Sequence, residues 1–153
     1  MHIRELNPGE PLPLELLLLA DPSERLVKAY TQRGHCYVGE IDGAVIGVYV
    51  LLPTRPDTME LVNVAVAEHL HGQGYGKQLV RHAIAQARRH GYATLEVGTG
   101  STSIAQLALY QKCGFRMTGI DRDFFVRHYE EAIYENGMRL RDMVRLSLDL
   151  YSH

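Results

Sequence analysis

The sequence predicts an α+β fold with a mixed, mostly antiparallel central sheet of about six to seven strands, flanked by about four helices. Asp42-Gly43 joins two β-branched runs, which predicts an antiparallel hairpin because this dipeptide adopts the positive φ angles of a type I′ turn. An amphipathic segment at 75–90 separates two strand-like runs and is long enough to connect parallel strands. The 153 residues suffice for one domain, 1–153, with one substantial core.

The N-terminal half alternates short strands with helices. The turn residues Asn7-Pro8-Gly9 end the first strand, and an apolar, helix-favouring run follows them. Asp21-Pro22-Ser23 ends this first helix and begins a second one, for which Gly34 is the C-cap candidate. The predicted strands of this half are 3–6, 35–41, 44–52 and 58–66, and its helices are 12–20 and a second one that ends at 33.

The second half contains the long helix at 75–90, one shorter helix and three strands. Gly98-Thr99-Gly100 is expected to end the strand that follows the long helix. Ser101 or Ser103 then caps the shorter helix. The apolar face of the long helix consists of Leu79, Val80, Ala83, Ile84 and Ala87; Gly91 and Gly114 end the two helices, and the strands are 94–97, 115–120 and 143–150.

Composition and charge exclude several classes of protein. The formal net charge is -2, with 16 basic and 18 acidic residues, so no broad positive field indicates nucleic acid as a partner. Cys36 and Cys113 lie far apart without a C-x-x-C pair, which favours a reducing compartment. The longest aliphatic run, 16–20, is too short to cross a bilayer, and the first residues do not resemble a signal peptide. We therefore expect a cytoplasmic protein without a membrane partner.

The stretch between the strand at 58–66 and the long helix has the pattern of an anion site. Gly72, Gly74 and Gly76 occupy alternate positions immediately before the helix and at its start. The first turn of a helix has backbone N–H groups without intrahelical partners and carries roughly half a positive charge, so a phosphate can bind to the backbone there. Glycine allows the close approach, and Lys77 can add a positive charge.

Two common phosphate-binding motifs do not fit these glycines. A dinucleotide fingerprint, G-x-G-x-x-G, would need its third glycine at Tyr75 or Leu79. A Walker A loop would need glycine where His71 stands and Ser or Thr where Gln78 stands. Neither nicotinamide dinucleotides nor nucleoside triphosphates are therefore expected as ligands.

The segment from His71 to Gly76 (His-Gly-Gln-Gly-Tyr-Gly) instead resembles the acetyl-CoA signature Q/R-x-x-G-x-G/A of the GNAT superfamily of N-acetyltransferases. His71 departs from it, because the family usually has Gln or Arg there. A second segment, 103–115, resembles the family's helix that ends in Leu-Tyr and is followed by Gly-Phe, with Ser103 in place of a frequent Asn and Gln106 in place of a frequent Ala. The resemblance extends from about Ile3 to Leu148.

This resemblance implies the GNAT fold and an acetyl-CoA-dependent N-acetyltransferase with acetyl-CoA as cosubstrate and no metal. The pyrophosphate would contact the backbone of the glycine segment, and the pantetheine and acetyl groups would lie along the strand at 64–66, where a backbone N–H can polarise the carbonyl. The predicted cofactor-binding residues are Val64, Ala65, Val66, His71, Gly72, Gln73, Gly74, Tyr75, Gly76, Lys77, Ser103 and Gln106.

Glu60 is the candidate general base. Because it lies six residues before Val66 on one strand, the even spacing predicts that both side chains share a face. Members of the family that use a glutamate on this strand deprotonate the amine with it, directly or through water, and Glu60 matches that position. A surface carboxylate at the start of a strand is the alternative interpretation. Asn63 is interpreted as a polar packing residue.

Tyr110 is the candidate general acid. A phenol with an ordinary pKa of about 10 stays protonated at neutral pH and can give its proton to the departing thiolate. The alternative is a buried structural tyrosine at a helix end, and the Leu-Tyr-x-x-x-Gly-Phe context favours the acid. Cys113 is not expected to be a nucleophile, because no histidine lies near it in the sequence and the family mechanism requires none.

The 121–137 segment is long for a connection, and long connections often bind ligands. Its acidic residues could attract a cationic amine and its aromatic residues could cover it. Taken one by one, these residues favour a solvated loop with aromatic anchors, whereas the segment as a whole favours a substrate role. The acidic residues are Asp121, Asp123, Glu130, Glu131 and Glu135, and the aromatic residues are Phe124, Phe125, Tyr129 and Tyr134.

The sequence does not identify the acceptor amine: a polyamine, an aminoglycoside, an amino acid, a protein lysine or an N-terminus all fit.

His69 and His71 are the only close histidine pair and lack a third ligand at a usual zinc spacing, so no metal site is predicted. A non-catalytic acyl-CoA-binding module for sensing or assembly is the alternative function, and the presence of both Glu60 and Tyr110 argues against it. A homodimer is plausible from the resemblance.

Overall fold

A computed structural model describes residues 1–151 and contains a main sheet and a small hairpin. The strands are β1 (His2–Glu5), β2 (His35–Ile41), β3 (Ala44–Arg55), β4 (Thr58–Val66), β5 (Thr94–Gly100), β6 (Arg116–Asp121), β7 (Ile133–Glu135), β8 (Met138–Leu140) and β9 (Met143–Asp149). The helices are α1 (Leu14–Ala20), α2 (Glu24–Arg33), α3 (Tyr75–Arg89), α4 (Ile104–Lys112) and α5 (Phe124–Arg127), and a 3₁₀ turn covers Glu68–Leu70.

The main sheet has seven strands in the order β1-β2-β3-β4-β5-β9-β6. Only the β4–β5 pair is parallel among the pairs of this sheet within residues 1–151, and α3 connects these two strands. The predicted α+β class is therefore confirmed. In the β2–β3 hairpin, Asp42 and Gly43 have φ angles of 49° and 80°, which confirms the type I′ turn.

Two hydrophobic cores lie on opposite faces of the sheet. The larger core lies beneath α3 and α4, and all five apolar residues predicted for the long helix are buried in it. The smaller core includes Leu17 of α1 and Val27 of α2, packed against β2, β3 and β4. No helix within the described range is long and apolar enough to cross a membrane.

A bulge at Val62 divides β4 into two halves. Val50 of β3 pairs with Asn63, but the next residue, Leu51, pairs with Leu61, so Val62 has no partner in β3. The extra residue reverses the alternation of side chains: Leu61 before the bulge and Val66 after it both lie in the larger core. The prediction that Glu60 and Val66 share a face is therefore wrong, because an even spacing holds only in a regular strand.

The strand β5 continues through the glycines that were expected to end it. Gly98 pairs with Arg145 and Gly100 pairs with Met143, both in β9. A Cβ atom at Gly98 would lie 2.5 Å from the Met143 sulfur, and one at Gly100 would lie 2.5 Å from Leu140 Cδ1. Glycine here allows the Met143 and Leu140 side chains to pack closely against β5, and it does not mark a turn.

The 121–137 segment contains short elements that the sequence did not predict. It forms α5, a single helical turn, and then β7, which pairs with β8 as a separate hairpin. Four residues in α5 and three in each strand are too few to show a helical or strand period. The helices in residues 1–151 thus number five, one more than predicted.

Candidate active site

A cleft of about 550 Å³ opens where β4 and β5 separate. The parallel ladder between these strands ends at the Leu61–Val97 pair, so the β4 backbone beyond Leu61 has no strand partner on that side within residues 1–151. Residues from the α1–α2 junction, β4, the end of β5, α4 and the 121–137 segment line the cleft. An unpaired strand edge beside a cleft offers backbone N–H and C=O groups to an extended ligand.

The unpaired edge of β4 includes residues 64–66, along which the pantetheine arm was expected to lie. Val64 lines the cleft, whereas Ala65 and Val66 are buried and are not part of its lining. Only the main chain of Ala65 and Val66 is therefore suited to contact a ligand, because the Ala65 side chain packs in the smaller core and that of Val66 in the larger one.

The glycine segment has the geometry that an anion site requires. Gly72 and Gly74 have φ angles of 79° and 87°, and no atom lies within 4 Å of a Cβ built on either residue. Gly74 is the N-cap of α3 and no side chain caps the helix there, so the N–H groups of the first turn remain available. Gln73 is exposed, while Tyr75, Gly76 and Lys77 are half-buried at the helix start.

His71 has a structural role that the glycine signature does not indicate. Its Nε2 atom donates a hydrogen bond of 2.7 Å to the Val66 carbonyl oxygen at the end of β4. The ring thereby connects the start of the glycine segment to the strand that lines the cleft. This hydrogen bond occupies Nε2 and leaves the main chain of His71 available to an anion.

Glu60 lies in the cleft and has a cationic neighbour. Its side chain is 19% exposed, and Arg145 Nη2 lies 3.3 Å from its Oε1 atom. In the parallel ladder Glu60 stands beside Glu96 of β5, which is itself paired with Arg55 at 2.7 Å. Arg145 therefore partly offsets the charge of Glu60, and the carboxylate is still accessible from the cleft. A group that exchanges protons with a ligand must be accessible in this way.

Tyr110 is buried in the core and also lines the cleft. The residue is 4% exposed and packs edge-to-face on Phe115 in the larger core, yet it also lines the cleft. Its hydroxyl forms no hydrogen bond with any other group in residues 1–151. Burial raises the pKa of Tyr110 above its ordinary value of 10, so the phenol stays protonated at neutral pH.

Ser103 and Gln106 were predicted to contact the pantetheine arm, and both line the cleft. Ser103 is the N-cap residue of α4, but its hydroxyl does not cap the helix and donates instead to Glu135 Oε1 at 2.7 Å. Gln106 is exposed. The Ser103 hydroxyl is therefore already paired, which leaves its main chain and the Gln106 amide for a ligand.

The structure brings part of the 121–137 segment to the cleft and leaves the rest outside. Among its acidic residues only Glu135 lines the cleft, and Asp121 is paired with Arg127. Among its aromatic residues Phe124, Phe125 and Tyr129 line the cleft, whereas Tyr134 is exposed. Within the described residues no group of three or more His, Cys, Asp or Glu side chains could hold a metal ion.

A hydrogen-bonded cluster at the α1–α2 junction was missed by sequence reasoning. Asp21 accepts hydrogen bonds from the Tyr129 hydroxyl at 2.9 Å and from the Tyr30 hydroxyl at 3.1 Å. Asn63 donates to the Tyr30 hydroxyl at 2.9 Å. All four residues line the cleft. Asp21 had been interpreted only as part of a helix break, and no sequence signal joined it to Tyr129, which lies 108 positions away.

The sequence and the fold of this chain are both similar to those of known proteins. The family model described as Acetyltransferase (GNAT) family matches residues 5–115. A Bacillus subtilis protein named Uncharacterized N-acetyltransferase YvbK is 59% identical over 136 residues, which cover 89% of this chain and 88% of that protein.

Two solved structures extend the similarity over nearly the whole chain. The IAA acetyltransferase from Bacillus cereus has 57% identity and a TM-score of 0.94, covering 97% of this chain and 98% of that one. A GNAT family acetyltransferase from Elizabethkingia anophelis with acetyl-CoA bound has 43% identity and a TM-score of 0.95, covering 97% of both chains. The chain therefore belongs to the acetyltransferase (GNAT) family, and it is an acetyl-CoA-dependent acyltransferase.

Proposed function

We propose that this enzyme moves the acetyl group of acetyl-CoA directly to a primary amine, with Glu60 as general base and Tyr110 as general acid. The observation that carries the proposal is that both side chains line one cleft, beside the unpaired β4 edge. That edge begins at Val62, two residues after the candidate base on β4. A base, an acid and backbone donors around one cleft are the groups that acyl transfer from a thioester requires.

The proposed steps conserve atoms and charge. Glu60, directly or through water, takes a proton from the ammonium form of the acceptor, and the neutral nitrogen attacks the thioester carbonyl carbon. A backbone N–H of the β4 edge stabilises the negative charge on the carbonyl oxygen. The carbon–sulfur bond then breaks, the sulfur takes the electron pair and the Tyr110 proton, and the second proton of the attacking nitrogen goes to the Tyr110 phenolate. Glu60 then gives up the proton that it took from the ammonium. One proton is released to solvent per acetyl group transferred.

Acetyl-CoA would extend from the glycine segment to the cleft. The pyrophosphate would contact the main chain from His71 to Lys77, with Lys77 as an additional charge. The pantetheine arm would follow Val64, Ala65 and Val66, opposite Ser103 and Gln106 of α4. We infer a cytoplasmic location from the two unpaired cysteines, Cys36 and Cys113, which suit a reducing compartment.

A panel of amines tests this function. Release of the CoA thiol is followed with polyamines, aminoglycosides, amino acids and a lysine peptide as acceptors, with acetyl-CoA present throughout. We expect release that depends on at least one amine and that falls in the Glu60→Gln enzyme. Acetyl-CoA binding without amine-dependent release for any class would contradict the proposal and favour a sensing module.

A further inference from the structure

The α1–α2 end of the cleft contains a carboxylate that no cation neutralises within residues 1–151. Asp21 Oδ1 accepts hydrogen bonds from the Tyr129 hydroxyl at 2.9 Å and the Ser23 main-chain N–H at 3.0 Å, and Oδ2 accepts one from the Tyr30 hydroxyl at 3.1 Å. All three donors are neutral, and burial raises the pKa of both tyrosines, so they remain donors. They orient the carboxylate without cancelling its charge.

A second acceptor beside Asp21 has no donor. Asn63 is 4% exposed, and its Nδ2 donates both to the Leu17 carbonyl at 3.0 Å and to the Tyr30 hydroxyl at 2.9 Å. Its Oδ1 atom is buried without a hydrogen-bond partner in the described part of the chain. Buried carbonyl oxygens rarely lack a donor, and an N–H group of a ligand would satisfy this one. Asn63 Nδ2 and Asp21 Oδ2 both contact the Tyr30 hydroxyl, at 2.9 and 3.1 Å, so the two side chains lie on either side of that hydroxyl.

The rest of the cleft has the same sign of charge and is otherwise largely apolar. Its other charged lining residues are Glu135 and Glu60, the latter paired with Arg145 at 3.3 Å, and no Lys, Arg or His is among the described residues that line it. A carboxylate on an acceptor would therefore be repelled, whereas an additional ammonium would be attracted. Apolar and aromatic side chains complete the wall: Leu18, Leu19, Leu26, Phe124, Phe125 and Ile133.

We propose that Asp21 and Asn63 form a cation subsite, and that the preferred acceptors are amines that carry a second ammonium group on an apolar frame. The inference rests on the proposed function, because it assigns one amine to Glu60 and the other to this subsite. The reacting amine loses its charge before attack, while the second amine keeps its charge and donates N–H groups to Asp21 Oδ2 and Asn63 Oδ1. Glu60 and Asn63 stand opposite Leu52 and Val50 of β3, which are two positions apart, so the bulge brings them to roughly 7 Å from each other along the strand.

Three acceptors of matched length test the subsite in the wild-type enzyme. Hexamethylenediamine has two ammonium groups, hexylamine has one, and ε-aminocaproate replaces the second ammonium with a carboxylate. We expect kcat/KM to be highest for the diamine, about tenfold to 100-fold above hexylamine, because a charged hydrogen-bonded pair contributes on that scale. The amino acid should be the poorest acceptor. Equal values for the diamine and hexylamine, or a preference for the amino acid, would overturn the proposal.

A substitution at Asp21 tests whether this residue causes the preference for the diamine over hexylamine. Asp21→Asn should lower the ratio of kcat/KM for diamine over hexylamine to near one. Glu24→Gln is the matched control, because it removes one negative charge three residues away on an exposed side chain outside the cleft. The ratio should stay at its wild-type value in this control. An undiminished ratio in a folded Asp21→Asn enzyme would contradict the assignment to Asp21.

A binding measurement separates this proposal from the catalytic one. In the presence of CoA, hexamethylenediamine should raise the melting temperature of the wild-type protein more than hexylamine does, and Asp21→Asn should remove the difference. Such stabilisation without turnover of any amine would support the subsite and contradict the proposed reaction. Turnover of all three acceptors at equal rates, without diamine-specific stabilisation, would support the reaction and contradict the subsite.

Discussion

The Nη2 atom of Arg145 lies 3.3 Å from Oε1 of Glu60, so a side chain of β9 contacts the candidate base on β4. Arg145 reaches this position because β9 pairs with β5 and places it opposite Gly98, which has no side chain to block the guanidinium. The cation is close enough to orient the carboxylate. Met59 and Leu61 are buried in the larger core, so Glu60 between them lies on the opposite face of β4, where it lines the cleft.

Glu60→Gln should lower kcat by roughly 10²–10⁴-fold, the usual contribution of a general base, and leave acetyl-CoA affinity nearly unchanged. The substitution keeps the shape of the side chain while removing its basicity. Glu96→Gln is the matched control, because Glu96 is the neighbour of Glu60 across the parallel ladder and does not line the cleft. Steady-state kinetics and CoA titration on both variants check this. A folded Glu60→Gln enzyme with wild-type kcat would show that Glu60 is only a surface carboxylate.

Gly74→Glu should abolish CoA binding, because it places a carboxylate where the pyrophosphate must approach the helix terminus. The φ angle of 87° also makes any side chain at this position strained, by about 1–2 kcal/mol. Gly43→Glu is the control: Gly43 has a φ of 80°, is equally open, and lies in the β2–β3 turn. Both variants should lose similar stability, but only Gly74→Glu should lose CoA binding in calorimetry. Equal CoA affinity in the two would exclude the glycine segment as the anion site.

Tyr110→Phe should lower kcat by roughly 10²–10⁴-fold without weakening acetyl-CoA binding. Because the hydroxyl has no hydrogen-bond partner in residues 1–151, its removal leaves no orphaned group, and stability should change little. Tyr92→Phe, at a half-buried tyrosine outside the cleft, should leave kcat unchanged. Turnover and urea denaturation on the same preparations check both expectations. Wild-type turnover in Tyr110→Phe would assign protonation of the thiolate to water.

The Tyr49–His82 pair predicts a pH dependence of stability that is separate from catalysis. The Tyr49 hydroxyl lies 2.6 Å from His82 Nδ1, and burial lowers the pKa of His82 below 6.5. The folded protein therefore binds fewer protons than the unfolded chain, so this stabilisation is present above pH 6.5 and is lost as the pH falls through the folded-state pKa.

Urea denaturation of wild type and His82→Gln from about pH 7.5 to about pH 5 measures this effect. The free energy of unfolding should fall with pH more steeply in the wild type, because the glutamine does not titrate. Parallel curves would show that His82 has the same proton affinity in both states.

The sequence predicted the parts of the fold that depend on local or periodic signals. The limits of β4 and the buried face of α3 are confirmed, because regular strands and amphipathic helices repeat within a few residues. The bulge at Val62 was not predictable, since an extra residue in one strand is defined only by the pairing of β3 with β4. The same holds for Gly98 and Gly100, because Met143 and Leu140, against which they pack, lie 45 and 40 residues away.

The candidate site was predicted where a local motif or the family resemblance indicated it, as for the glycine segment, Glu60 and Tyr110. The glycine segment forms the open turn at the start of α3 that its spacing indicates. The cluster around Asp21 depends instead on a contact between the α1–α2 junction and Tyr129, 108 residues later, which no local pattern encodes. Ser103 illustrates a further limit, because its hydroxyl is paired with Glu135 of β7 rather than with the end of its own helix.

The most direct test of the central claim is the stoichiometry of one turnover with hexamethylenediamine as acceptor. Enzyme in excess over acetyl-CoA is mixed with the diamine, and CoA thiol, acetylated amine and intact protein are measured by mass spectrometry at successive times. Direct transfer predicts that CoA and acetylated amine appear together in equal amounts while the protein mass stays unchanged. An acetylated protein that precedes the acetylated amine, or bound acetyl-CoA that remains intact with this and every other amine, would contradict it.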